Sequence, residues 1–243
     1  MAISSPPRRG GQAAPRSQRG LVTALVLALA AALFLAAVVV ALLARGGSSS
    51  SGVQGSGVAA AQSRVLAAFS SVDLAGSNNV RVAVGGRQSV VVHADSNLMR
   101  YVTTHVVAGT LVIGTTGSFT TRSPMSVQVS VPSLASVTLN GSGQISVTGI
   151  DAPRLAVALP GSGALYAGGT VTRLDVTLGG SGLAQLDNLV ARDVHAVVAG
   201  SGLIRVTATT SLNAAVPGSG AIIYGGNPQV TSSVTGSGTV TRG

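Results

Sequence analysis

Six serines of the C-terminal half stand in identical Gly-Ser-Gly settings, at 141–143, 161–163, 180–182, 200–202, 218–220 and 236–238. A serine flanked by glycines can be a nucleophile, and a glycine-rich loop can cradle phosphate, but each chemistry needs companions. The nucleophile needs a base and an oxyanion hole. The chain has three histidines, His93, His105 and His195, so six equivalent triads cannot be assembled. The G-x-S-x-G elbow is not matched, and the P-loop needs a Lys that the chain lacks altogether. Glycoside hydrolysis normally uses two carboxylates about 5–10 Å apart. Glu is absent, and the acidic residues are Asp73, Asp95, Asp151, Asp175, Asp187 and Asp193. The histidines fall in no metal-ligand spacing. With no Cys there is no thiolate site, disulfide or lipidated Cys. These residues point away from an enzyme and assign no catalytic, cofactor or metal site.

The triplets make better sense as the punctuation of a fold. They recur at a near-constant interval, and the positions two, four and six before each are apolar. Leu159, Val157 and Leu155 are one set, Leu178, Val176 and Leu174 the next; Ser232 is the exception. After each triplet the alternation resumes, at Ile145 and Val147, then Leu165 and Ala167. Period two marks strands with one buried face. A unit this short buries its apolar side only by stacking on copies of itself. An antiparallel meander would show two turns of equal strength per unit. Here the second corner varies ("TGIDAPR", "AGGTVTR", "DNLVARD", "TATTS"), which favours a single-stranded β-helix with one triplet per coil. Each coil then takes about 18–20 residues, close to the short end of known solenoid repeats. The fixed corners are Gly141 and Gly143, Gly161 and Gly163, Gly180 and Gly182, Gly200 and Gly202, Gly218 and Gly220, and Gly236 and Gly238. Glycine suits them through positive φ, and because it has no side chain to strike the next coil.

Stacking in register also groups the outward residues. Arg173 and Asp193 would share a column, as would Asp175 and His195, giving surface ion pairs. Asp175, His195, Arg205, Gln185 and Tyr166 form a candidate ligand patch. The first half has the strand pattern without the triplet ("NNVRVAV", "SVVVHAD"), as irregular coils or a cap over the first edge. The last coil, "GTVTRG", has almost no cap, so self-association through it is a second expectation.

The run Leu21–Ala44 contains one hydroxyl and no charge. As a helix it exceeds a hydrocarbon core of about 30 Å, and it is longer than the roughly 7–15 apolar residues of a signal peptide. It is expected to be a transmembrane signal-anchor; secretion after cleavage is the alternative. Four arginines precede it and one follows, which places the N-terminus inside and the C-terminal part outside the plasma membrane. The organisation expected is a basic disordered cytoplasmic tail (1–20), the helix (21–44), a Gly/Ser-rich linker (45–62) and a β-helical domain (63–243). Of the formal charge of +9, four units lie in that short tail and one at Arg45, while residues 46–243 hold ten Arg against six Asp. With no basic stripe and few aromatics, nucleic acid is excluded as a partner.

The order of motifs, with "DSNLM" (95–99), "VPSL" (131–134) and "YGGNPQV" (224–230) among the triplets, resembles the DUF2807 family, also called the GIN domain. The resemblance runs from about Ala67 to Thr241. It implies an all-β, right-handed β-helix in a bacterial cell-surface adhesion domain without catalysis. A cell-wall glycan or a surface protein is the partner it suggests; a structural envelope stalk is the alternative.

Overall fold

Alternating valines and leucines separated by glycine corners produce strands almost throughout. In the computed structural model, residues 52–243 are described; the tail and the expected transmembrane helix lie outside them. Among the described residues no helix is long and apolar enough to cross a membrane. The first strands are β1 (Val53–Gln54), β2 (Ala59–Arg64), β3 (Ser71–Leu74), β4 (Asn79–Val84) and β5 (Ser89–Asp95). A 3-10 turn (Ser96–Tyr101) leads to β6 (Val102–Val107), β7 (Thr110–Thr115), β8 (Phe119–Thr120), β9 (Ser126–Val131) and β10 (Ser136–Leu139). Four long strands follow: β11 (Gln144–Leu159), β12 (Ala164–Leu178), β13 (Leu183–Val198) and β14 (Leu203–Val216). The chain closes with β15 (Ala221–Gly226), β16 (Gln229–Val234) and β17 (Thr239–Arg242).

The result is a β-solenoid of about five turns. Each long strand runs from one triplet to the next and lies parallel on its predecessor. Equivalent residues stack: Val137 on Val157, Val157 on Val176, Val176 on Ala196, Ala196 on Ala214. All five are buried, as are the neighbouring columns that contain Leu155, Leu174 and Leu212. Burying one such Val or Leu side chain contributes about 1.5–3 kcal/mol, so the repeated column holds the coils together. At the C-terminal end the columns run out. Val230 and Val234 of β16 keep the inward-facing register but are 39% and 44% exposed.

The triplet glycines are required for close approach and not for positive φ, which corrects one of the two reasons above. None of the twelve has positive φ. A Cβ on any of them would instead lie under 3.0 Å from backbone oxygen of the preceding coil. Positive φ belongs to the variable corner, at Gly149 (75°), Gly169 (137°) and Gly226 (88°). That corner also takes up the unequal spacing of the triplets. Ile145 pairs with Leu165, but Ile150 pairs with Gly169, so the offset between coils drops by one across it. The other register shifts, between Tyr166 and Gly169, Leu186 and Val190, and Ala191 and Asp193, lie on the same corner.

The first half carries a triplet-like corner that its sequence conceals. Gly76-Ser77-Asn78 takes the triplet position: Gly143 donates its N–H to the Gly76 carbonyl, and Gln144 pairs with Asn79. β3 and β4 are therefore the first coil. Beyond it β7 and β9 still lie parallel on β3 and β4, and only then does the pairing change: β5 runs antiparallel to β9 and β2, and β6 antiparallel to β7. This antiparallel cap, with Leu98 and Val102 buried in it, replaces the open edge of a parallel coil.

The segment expected as a flexible linker to residue 62 is ordered from Val53 onward. β1 pairs with β8, and β2 with β5. The reason is Asp95, which is fully buried. Its carboxylate accepts the N–H groups of Gly57 (2.9 Å), Arg122 (2.8 Å) and Ser123 (3.3 Å), and the Ser123 hydroxyl (2.8 Å). Asn97 accepts the Ser56 N–H (2.9 Å) and donates to the Gln54 carbonyl (2.8 Å). The "DSN" of the quoted motif is thus a clip that holds residues 54–58 against the cap.

Candidate functional site

With glycine on either side, each triplet serine sits at a corner that packs directly on the corner before it. Backbone hydrogen bonds make the ladder: Gly163 N–H to Gly141 carbonyl (3.2 Å), Ser201 to Gly180 (3.2 Å), Ser219 to Gly200 (3.0 Å). The serine hydroxyls take no part in it. Hydroxyl bonds to protein occur at Ser56, Ser96, Ser123 and Ser211, away from these corners. Ser142, Ser162, Ser181, Ser201 and Ser219 are all exposed. They repeat at the strand spacing, about 4.8 Å.

The outward residues just after the corners complete a trough of about 730 Å³ running across the coils. Its serine rail faces a floor of Gln144, Ala164, Leu183, Leu203 and Ala221, with Asn79 at the N-terminal end. Hydroxyls donate and accept, and the half-buried leucines supply apolar surface. No residue lining the trough is acidic, basic or a histidine. It offers binding surface but no general acid or base.

The five residues of the expected patch fall into two groups. Tyr166, Gln185 and Arg205 are register partners on β12, β13 and β14, in the stretch just past the serine corner. Asp175 and His195 are register partners in the stretch before it, on the other side of the corner. No hydrogen bond or ion pair joins the two groups among the described residues. Asp175 is occupied: Arg154 reaches its carboxylate at 2.7 Å and Arg173 at 3.3 Å. Arg173 and Asp193 are in register as expected, yet Asp193 binds the Ser211 hydroxyl at 2.6 Å, with Arg192 at 3.8 Å. These are exposed arginines beside solvent, a surface network of modest stabilising effect.

The row that begins with Tyr166 extends further than its sequence columns suggested. Ser146 of β11 pairs with Tyr166, Arg81 of β4 with Ser146, and Gln128 of β9 with Arg81. Arg81 was missed because the first-coil corner ends in Asn and not Gly, and Gln128 because no Gly-Ser-Gly triplet precedes β9. The available signal was "GSNNVRV", which repeats the gap and alternation of "GSGQISV".

Two carboxylates have shifted acidities, and neither is in the trough. Asp95 is held below the usual carboxylate range, chiefly by the Arg122 N–H, with Ser123 and Gly57 adding to it against the opposing effect of burial. Asp73 is pushed up by burial, partly offset by the Asn140 side chain, which donates to it at 2.7 Å.

Solved structures share this architecture. A putative adhesin from Bacteroides fragilis aligns at 22% identity with a TM-score of 0.67, covering 79% of this chain and 100% of that one. A putative lipid binding protein from Parabacteroides distasonis aligns at 23% identity and TM-score 0.52, covering 79% and 99%. A putative adhesin from the same species aligns at 22% and 0.51, with the same coverage. At such identities the likeness shows the fold. No curated protein matches the chain. The family model described as "Putative auto-transporter adhesin, head GIN domain" matches residues 68–228, from the clip and cap through the stacked corners to β15, and on that match the chain is a member of the DUF2807 family.

Proposed function

We propose that the protein is a membrane-anchored, surface-displayed adhesion domain that binds an extended polymer, a cell-wall glycan in the first instance, along the serine trough without transforming it. The observation that carries this reading is the free hydroxyl rail. Five exposed serines at a constant pitch present the same donor and acceptor again and again, which suits a polymer that itself repeats. Display outside the membrane is supported by the apolar run Leu21–Ala44, with four arginines before it and one after. The names carried by the family and by two of the similar structures favour adhesion over catalysis.

The test uses the full chain expressed in cells. Protease added outside is expected to remove the domain, and intact cells are expected to retain soluble wall glycan. Plugging the trough with Ser162→Tyr and Ser201→Tyr should abolish retention, while Val190→Tyr, an exposed site elsewhere, should not. Equal retention by the plugged protein rules the trough out.

A second reading is self-association through the last coil, favoured by the exposed inward-register valines of β16. It predicts concentration-dependent assembly of the full chain in sedimentation velocity, abolished by Val234→Asp with Val240→Asp. A monomer at all concentrations excludes it.

A further inference from the structure

Beside the trough, the outward row on the next residue pair carries the side chains that choose among polymers. From β9 to β14 it reads Gln128, Arg81, Ser146, Tyr166, Gln185, Arg205, each the register partner of the next. Arg81 and Arg205 make no ion pair among the described residues, whereas Arg154, Arg173 and Arg192 all do. No residue of the row is acidic, and neither is any residue lining the trough. Asp187 lies two residues beyond Gln185 on β13, on the side away from the trough. Two free guanidinium groups therefore flank Tyr166 on one continuous sheet face. Four strand steps separate them, about 19 Å at about 4.8 Å per step.

We propose that this row selects a linear acidic polysaccharide, one whose sugars carry carboxylates, laid along the solenoid axis with its sugar faces on the trough floor. The proposal rests on the trough being the binding surface and adds what it prefers. Leu183, Leu203 and the Tyr166 ring supply apolar surface for the C–H faces of sugar rings. The serine rail and Gln185 meet ring hydroxyls. A guanidinium pairs with a carboxylate through two parallel hydrogen bonds, which are stronger than neutral ones. Extended 1,4-linked glycans place successive sugars at nearly the strand spacing, so one polymer reaches both arginines. An extended peptide, with its shorter residue repeat, falls out of step with the rail.

The experiment compares polygalacturonate with its fully methyl-esterified form, the same backbone without charge, on the full chain immobilised in mild detergent. Polyglutamate serves as an acidic polymer that is not a glycan. The acid form is expected to bind at least tenfold more tightly than the ester, with the difference shrinking in high salt. Arg81→Gln with Arg205→Gln should remove that difference, lowering binding of the acid form toward that of the ester. Arg87→Gln, an exposed arginine off the row, should leave both unchanged. Equal binding of acid and ester overturns the proposal while the trough reading stands. Polyglutamate binding as tightly as polygalacturonate, or an equal loss in Arg87→Gln, reduces the row to unselective attraction and also overturns it. Binding of neither glycan form ends both readings.

Discussion

Gly180→Ala is expected to destabilise the protein by about 3 kcal/mol or more, while Gly179→Ala, one residue away, is expected to be neutral or to stabilise it by about 0.4–1 kcal/mol. The contrast follows from what a methyl group meets. At Gly180 it would sit under 3.0 Å from the carbonyl oxygens of Gly161 and Pro160. Those atoms belong to a corner fixed by strands on both sides and by its own backbone hydrogen bonds, so relief requires two coils to separate. At Gly179 the nearest atom, the Cα of Pro160, is 3.8 Å away, an ordinary contact, and φ is not positive. There the alanine only restricts the unfolded chain. Urea denaturation of both variants decides the matter. If the two substitutions cost the same, close stacking is not the reason for glycine at these corners.

Asp95→Asn should loosen the N-terminal segment without unravelling the coils. The carboxylate accepts four hydrogen bonds from protein donors. An amide in its place turns one acceptor into a donor facing N–H groups. The amides of Gly57, Arg122 and Ser123 are expected to exchange with solvent much faster in the variant, and those of β12–β14 at the wild-type rate. The effect has a definite pH dependence. The folded Asp95 is held below its ordinary value of 3.8, so its contribution is complete above that value and disappears as pH falls through the lowered one. The advantage of wild type over Asp95→Asn should be flat from pH 5 to 7 and shrink below about pH 4. Asp73 runs the other way: its pKa is raised by burial, so its contribution is present in acid and lost as pH rises. The two partly cancel in the acid unfolding of wild type, which is why the difference between variant and wild type is the quantity to measure. An advantage that persists undiminished at pH 2 would contradict the assignment.

The parts of this molecule that were legible in its sequence are those set by short-range repetition. Period-two alternation tied to a fixed triplet gave the coil, the core columns and the register that puts Tyr166 beside Gln185 and Asp175 beside His195. It could not give the direction around the coil. Asp175 and Tyr166 lie in one strand, and only the position of the corner between successive coils tells that their rows face different ways. Long-range contacts were equally hidden. Asp95 reaches donors 38, 27 and 28 residues away, which no local pattern announces. The first-coil corner was missed because Asn78 stands where every later coil has glycine. Its side chain is buried with neither polar atom hydrogen-bonded to protein.

Every register shift between the long strands falls on the variable corner and none on the serine corner. A residue gained or lost by one coil therefore never reaches the opposite edge, whose corners keep their pitch although the triplets are unequally spaced along the chain. One side of the solenoid is free to drift under mutation while the other stays calibrated, like a measuring tape with a slack backing. Reach can then evolve by duplicating whole coils, each bringing one more serine to the scale, without any need for the duplicated lengths to match.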